Sequence, residues 1–170
     1  LNALTVQPDG KILAGGRAYD GFVLLRYHSD GDLDTDFGVD GMALTDFGMG
    51  SEINDLTVLP DGSILAVGNK HNNTFAMAKY NEDGTPVLDF GTDGKVTTSW
   101  WDNELPANGR AYSVKALEGG KILVVGESVR SNIYGAMALA VYHEDGSLDT
   151  DFGVDGRYAH HSANEKWFGA

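Results

Sequence analysis

The sequence predicts an all-β chain built from three copies of one four-stranded antiparallel unit, and three sets of aligned segments predict it. KILAGG at 11–16, SILAVG at 63–68 and KILVVG at 121–126 align with one another, and FVLLRY, FAMAKY and MALAVY follow them, ending at Tyr27, Tyr80 and Tyr142. DFGVDG, DFGTDG and DFGVDG then place Phe37, Phe90 and Phe152 ten positions after those tyrosines in every copy, which fixes the register. The copies grow apart elsewhere, from 52 residues between Gly16 and Gly68 to 58 between Gly68 and Gly126, so the added residues belong in loops. Units of this length with internal strands stack on their neighbours.

In the first copy the four apolar runs are 3–6, 11–16, 22–27 and 42–47. Pro8-Asp9-Gly10 and Pro60-Asp61-Gly62 supply the turn after the first run, since proline presets φ and glycine accepts positive φ. The third copy reads Glu118-Gly119-Gly120 there. Asp30-Gly31, Asp83-Gly84 and Asp145-Gly146 end the third strand with a second turn signal. The third strand is apolar on both faces: Phe22 and Leu24, Phe75 and Met77, Met137 and Leu139 on one, Val23 and Leu25, Ala76 and Ala78, Ala138 and Ala140 on the other. A sheet stacked between two others buries both faces, and large side chains opposite small ones suit interdigitation.

Four strands per unit is the blade pattern of a β-propeller. A β-sandwich also uses many short strands but gives no reason for a repeat of this length, and a parallel β-helix uses shorter coils. The expected blades are 1–54, 55–110 and 111–170. Closed propellers have roughly 4 to 8 blades, so this reads as a propeller fragment. Either the ring is completed by further blades of a longer chain or a second copy closes it.

Composition sets limits on function. In 170 residues, 42% are hydrophobic and 22% charged, enough for a sizeable core. The net charge of -13 argues against nucleic acid and anionic membrane surfaces, and is compatible with a cationic partner or a bound cation. No apolar run approaches the ~20 residues of a membrane span, so no membrane insertion is expected. The absence of cysteine excludes disulfides, thiol catalysis and thiolate metal sites. Leu1 is not an initiator methionine and no signal peptide is visible, which suggests that the native start is missing.

The combination PDG-K-I-L-A-x-G, an apolar strand ending in Arg-Tyr or Lys-Tyr, and DG-x-L-D-x-x-FG-x-DG resembles the delta-sixty repeat of bacterial β-propeller proteins over all three copies. That resemblance implies large secreted or surface-attached bacterial proteins with several such repeats, and no catalytic residues. The departures are Glu118-Gly119-Gly120, Val141 in place of the basic residue, and Thr85-Pro86-Val87-Leu88 in the second copy.

Strand parity puts the loops between second and third strands (17–21, 69–74, 127–136) on the same end as the inter-blade stretches (46–54, 99–110, 160–170). Functional residues favour loops on a rigid scaffold, and these carry Tyr19, His71, Trp100, Trp101, Arg130, Tyr134 and Trp167. Two adjacent aromatics in a polar loop suit stacking on a sugar or insertion into a protein partner. Phe47 and Trp100 both stand six residues after a DG glycine, which gives Trp100 a structural reading and makes Trp101 the better ligand candidate.

The other end holds alternating aspartates, Asp30, Asp32, Asp34 and Asp36, partly repeated as Asp145, Asp149 and Asp151. The opening spacing is that of an EF-hand Ca²⁺ loop, but Thr35 occupies the glycine position and Gly41 the position of the bidentate glutamate. The competing reading is turn capping and protection of sheet edges. Histidines 28 and 143 share an equivalent turn position, and His160-His161 are adjacent rather than spaced as zinc ligands. No nucleophile elbow, Walker loop or His-Glu-x-x-His motif is present. A non-enzymatic scaffold or protein- or glycan-binding module is therefore the expected function. The alternatives are part of a polysaccharide-acting propeller enzyme, whose carboxylate pair is not legible here, and a protein that self-assembles into rings or filaments.

Overall fold

The computed structural model describes residues 1–19, 21–70, 74–102, 105–129 and 136–160, with the backbone alone at 101–102 and 105–107. It contains three antiparallel sheets and, among the described residues, no α-helix. The first sheet is β1 (Ala3–Val6), β2 (Ile12–Ala18), β3 (Gly21–Tyr27) and β4 (Met42–Asp46). The second is β5 (Glu52–Val58), β6 (Ile64–Lys70), β7 (Thr74–Tyr80) and β8 (Lys95–Thr98). The third comprises β9 (Trp100–Asp102), β10 (Leu105–Ala116), β11 (Ile122–Val129), β12 (Ala136–Tyr142) and β13 (Arg157–His160). Strands neighbour one another in chain order in each sheet. The all-β, four-stranded expectation holds, and the third sheet adds β9 as a fifth strand at its edge.

Two expectations need correction. Within the stretch 99–110, residues 100–102 and 105–110 are strand rather than loop: β9 pairs with residues 105–107 of β10, and the rest of β10 pairs with β11. β5 and β10 also begin at Glu52 and Leu105, ahead of the expected blade boundaries after 54 and 110, because those segments already hydrogen-bond to β6 and β9. Both first strands carry a register irregularity, between Ile53 and Asp55 and between Ala111 and Ser113.

β5 packs on β1, β2 and β3, and β10 packs on β5, β6 and β7. First strands are therefore innermost, where blades converge, and β4, β8 and β13 form the outer edges. Each blade has a leading face toward the blade before it and a trailing face toward the blade after it. One core cluster joins trailing-face Leu13, Phe22, Leu24, Phe37 and Phe47 of blade 1 to Ile53, Leu56, Ala76, Ala78 and Tyr80 of blade 2. The other joins Leu65, Val67, Phe75, Met77, Phe90 and Trp100 of blade 2 to Ala111, Val114, Ala138, Ala140 and Tyr142 of blade 3. The large-against-small packing read from the third strands is thus the packing of the core.

The same polar contacts recur at both junctions. Asn2 Nδ2 donates to the Ile53 carbonyl (3.2 Å) and Asn54 Nδ2 to the Ala111 carbonyl (2.8 Å) near the centre. Tyr112 replaces this asparagine in blade 3 and donates to Glu127 of its own sheet. Thr45 pairs with Tyr80 OH (2.5 Å) and Thr98 with Tyr142 OH (2.7 Å) farther out. Gly38 N–H donates to the Asp83 carbonyl (2.7 Å) and Gly91 N–H to the Asp145 carbonyl (2.8 Å).

Candidate functional site

The acidic end is built by turns. Asp9, Asp30, Asp61, Asp83 and Asp145 each accept, through Oδ1, the backbone N–H two residues ahead at 2.8 to 3.1 Å. This Asx geometry closes the turn without a neighbouring strand. Side-chain bonds from Ser63, Thr85 and Ser147 hold the carboxyls of Asp61, Asp83 and Asp145 below the usual carboxylate range.

Asp34 is more enclosed, at 1% exposure. Its Oδ2 takes Arg26 Nε at 2.7 Å and Lys11 Nζ at 3.0 Å, and its Oδ1 accepts the Asp36 N–H at 3.2 Å. Burial pushes its pKa up, but the bonds from Lys11 and Arg26 outweigh that and bring it down to about 2. Arg26 also lies 4.6 Å over the Phe37 ring and donates to the Glu82 carbonyl of blade 2 at 2.5 Å, tying this ion pair to the blade junction. Asp149 repeats the arrangement with Lys121, at 2.6 Å, but without an arginine, and that bond is the main cause of its lowered pKa. Val141 stands where blade 1 has Arg26. In blade 2 Val87 replaces the aspartate and packs against the core.

The carboxylates read as a Ca²⁺ loop therefore point in different directions. Asp30 and Asp145 cap turns, Asp34 and Asp149 face cations, and Asp32, Asp36 and Asp151 are exposed. Among the described residues no group of three or more His, Asp or Glu side chains converges as a metal site.

The opposite end carries the other candidates. Trp100 is 3% exposed and meets Phe75 edge-on at 4.9 Å, as Phe47 meets Phe22 at 4.6 Å, so it packs inside the blade junction rather than offering a stacking face. Its Nε1 has no hydrogen-bond partner among the described residues. Trp101 lies in β9 with its side chain outside the described residues, as are His71, Arg130, Tyr134, His161 and Trp167 altogether. Tyr19, at the end of β2, is 80% exposed and lines a hollow of about 330 Å³ with Phe22, Leu44, Thr45 and Asp46. A larger open groove of about 930 Å³ follows the outer edge strand β8, between Asp46, Phe47 and Lys70 at the loop end and Asp93 and Asp145 at the turn end. Sequence reasoning did not find this groove. Its lining is drawn from all three blades, Asp46 and Phe47 of the first, Lys70 and Lys95 of the second and Asp145 of the third, so no single repeat marks it.

Stacked four-stranded sheets with inner first strands and repeated junction contacts define an arc of propeller blades. The chain belongs to the family described as domain of unknown function (DUF5122) beta-propeller, whose model matches residues 7–37, 59–86 and 120–152. Each match covers the second and third strands of one blade and the Asp-capped turn after the third, the first two also the Asp-capped turn after the first strand, and all leave out the inter-blade stretches. No curated protein matches the chain.

Proposed function

We propose that this chain is a non-catalytic scaffold of the delta-sixty repeat kind, belonging to a large bacterial secreted or cell-surface protein, which presents its loop end to a protein or glycan. The observation that supports the reading is a division of labour between the two ends. At the turn end Asp30, Asp83 and Asp145 are used in caps, and Asp34 and Asp149 in ion pairs. At the loop end Tyr19 stands exposed beside a hollow, on loops that differ in length between blades. A rigid aromatic offers contact area at small entropic cost, and the net charge of -13 favours a cationic or neutral partner.

Binding to a glycan array and to candidate surface proteins tests this, with wild type beside Tyr19→Ala and Trp101→Ala. The expected result is one retained ligand whose affinity falls about tenfold or more in at least one variant, in line with loss of an aromatic anchor. Binding that neither variant alters would overturn the loop-end assignment, and no retained ligand would reduce the role to scaffolding.

A further inference from the structure

We infer that a pocket between the inner turns of blades 2 and 3 binds an organic cation with an apolar body, an ammonium or guanidinium group on an aliphatic or aromatic stem. The pocket measures about 530 Å³, within the roughly 300 to 1,000 Å³ of small-molecule sites. It lies at the turn end, away from Tyr19 and the loops, so it goes beyond the loop-end reading. Both of its walls come from adjoining blades of this chain: 59–61 of blade 2 face 116–122 and Glu144 of blade 3. Leu59, Pro60, Leu117 and Ile122 give it an apolar wall, which suits a hydrocarbon stem.

Charge decides the head group. The lysines of this turn end are already matched. Lys121 Nζ holds Asp149 at 2.6 Å. Bonds from Ser63 and, to a smaller extent, the charge of Lys79 hold the Asp61 carboxyl below the usual carboxylate range, so Asp61 is ionised and offsets Lys79. That leaves Glu118 and Glu144 in the pocket lining, both exposed, and among the described residues neither makes an ion pair or a side-chain hydrogen bond. Uncompensated carboxylates beside an apolar wall attract a cation and repel an anion.

The junction of blades 1 and 2 is furnished differently at the same place. Gln7, 4% exposed, stands where Leu59 does, and Pro60 stands where Glu118 does. There Arg26 reaches across to Glu82, the counterpart of Glu144, and donates to its carbonyl at 2.5 Å. Lys79 holds the position of Arg26 at the second junction, and among the described residues it makes no hydrogen bond to Glu144. A cation of the chain thus serves this turn at the first junction and not at the second. The departure of blade 3 from Pro-Asp-Gly contributes as well. Glu118-Gly119-Gly120 lacks both the proline ring and the aspartate that caps the blade 2 turn on Ser63 N–H, and a Cβ on Gly119 would meet nothing within 4 Å. One substitution therefore adds a carboxylate to the pocket wall, and the next leaves that wall uncovered.

Titrating the isotope-labelled 170-residue chain with phenylbutylamine, its neutral analogue phenylbutanol and its anionic analogue phenylbutyrate tests this by amide chemical shifts, separately from any loop-end ligand. The amine should move the amides of 117–121 and leave those of 17–19 in place. It should bind about tenfold more tightly than the alcohol, the scale of two exposed charge pairs, and phenylbutyrate should not bind. Glu118→Gln and Glu144→Gln lie at exposed positions and should leave the Tm unchanged. Each should weaken the amine about threefold and leave the alcohol unaffected. Glu82→Gln removes the same charge from the equivalent turn of blade 2 and should alter nothing, which separates a local site from the field of a chain of net charge -13. Unmoved amides at 117–121, an alcohol or acid that binds as tightly as the amine, Glu118→Gln and Glu144→Gln variants that bind the amine like wild type, or a Glu82→Gln effect equal to that of Glu144→Gln would each overturn the proposal.

Discussion

Asp34 gives one carboxylate oxygen to Arg26 and Lys11 together and the other to the Asp36 N–H, at 1% exposure. Removing it strands Arg26, itself 6% exposed, as a buried cation. Asp34→Ala should therefore cost about 3 kcal/mol in denaturant unfolding, the range for breaking a buried pair. Asp149→Ala should cost clearly less, since Val141 replaces the arginine and the Lys121 side chain is 44% exposed; equal losses would refute this account. The Asp34 pKa lies near 2 in the folded chain against 3.8 in the unfolded chain. A depressed carboxylate stabilises above its unfolded pKa and loses that contribution as pH falls through the folded one. Wild-type stability should thus fall between pH 4 and 2 by more than that of Asp34→Ala. The sequence showed these aspartates as a periodic acidic run, but their cationic partners lie 8 and 23 positions away from Asp34, so a Ca²⁺ loop and a set of caps looked alike. Trp100 was easier to read, because its spacing from the DG glycine matches that of Phe47 and both are buried.

At the scale of strands, the turns were legible because their chemistry is local: an Asx cap needs only Asp and the residues just after it. The final glycine of the ILAxG run has a cause that lies in another strand. A Cβ on Gly68 would run into the Glu52 carbonyl oxygen, and one on Gly126 into the Arg110 carbonyl oxygen. Both carbonyls sit beside the register irregularities of β5 and β10, where the first strand bulges toward its partner. Since the obstacle is backbone, it has no flexible side chain to move aside. Gly68→Ala should cost more than about 2 kcal/mol, whereas Gly48→Ala, at positive φ on an open loop with nothing within 4 Å, should cost only about 1 kcal/mol. Gly68 lies outside the positive-φ region, so a loss in Tm for Gly68→Ala no larger than that of Gly48→Ala would refute the close approach as what the motif keeps. The β9–β10 hairpin escaped sequence reading for the opposite reason: among the described residues it exists in one blade only, so no repeat marks it, and WDNELPANGR has neither clear alternation nor an apolar face.

Across the whole molecule, each blade junction is closed by one buried tyrosine hydroxyl, Tyr80 on Thr45 and Tyr142 on Thr98. Burial pushes both pKa values up from 10.0 to about 12, with the threonine bonds opposing it. The raised folded pKa means that the contribution of each tyrosine is fully present below pH 10 and is lost as pH climbs toward 12, because the unfolded chain ionises first. The loss amounts to about 2 to 3 kcal/mol per tyrosine at the upper limit. Other groups also titrate in this range, so the informative quantity is the difference between wild type and Tyr80→Phe or Tyr142→Phe. Below pH 10 each variant should be less stable by about 1 kcal/mol for the lost hydrogen bond. Between pH 10 and 12 it should decline less steeply than wild type, so that the two stability curves converge or cross. The hydroxyls sit on separate junctions, more than one strand apart, so the effects in the double variant should add. Urea unfolding at a series of alkaline pH values measures this; curves that stay parallel would mean that the junction tyrosines ionise without opening the blades.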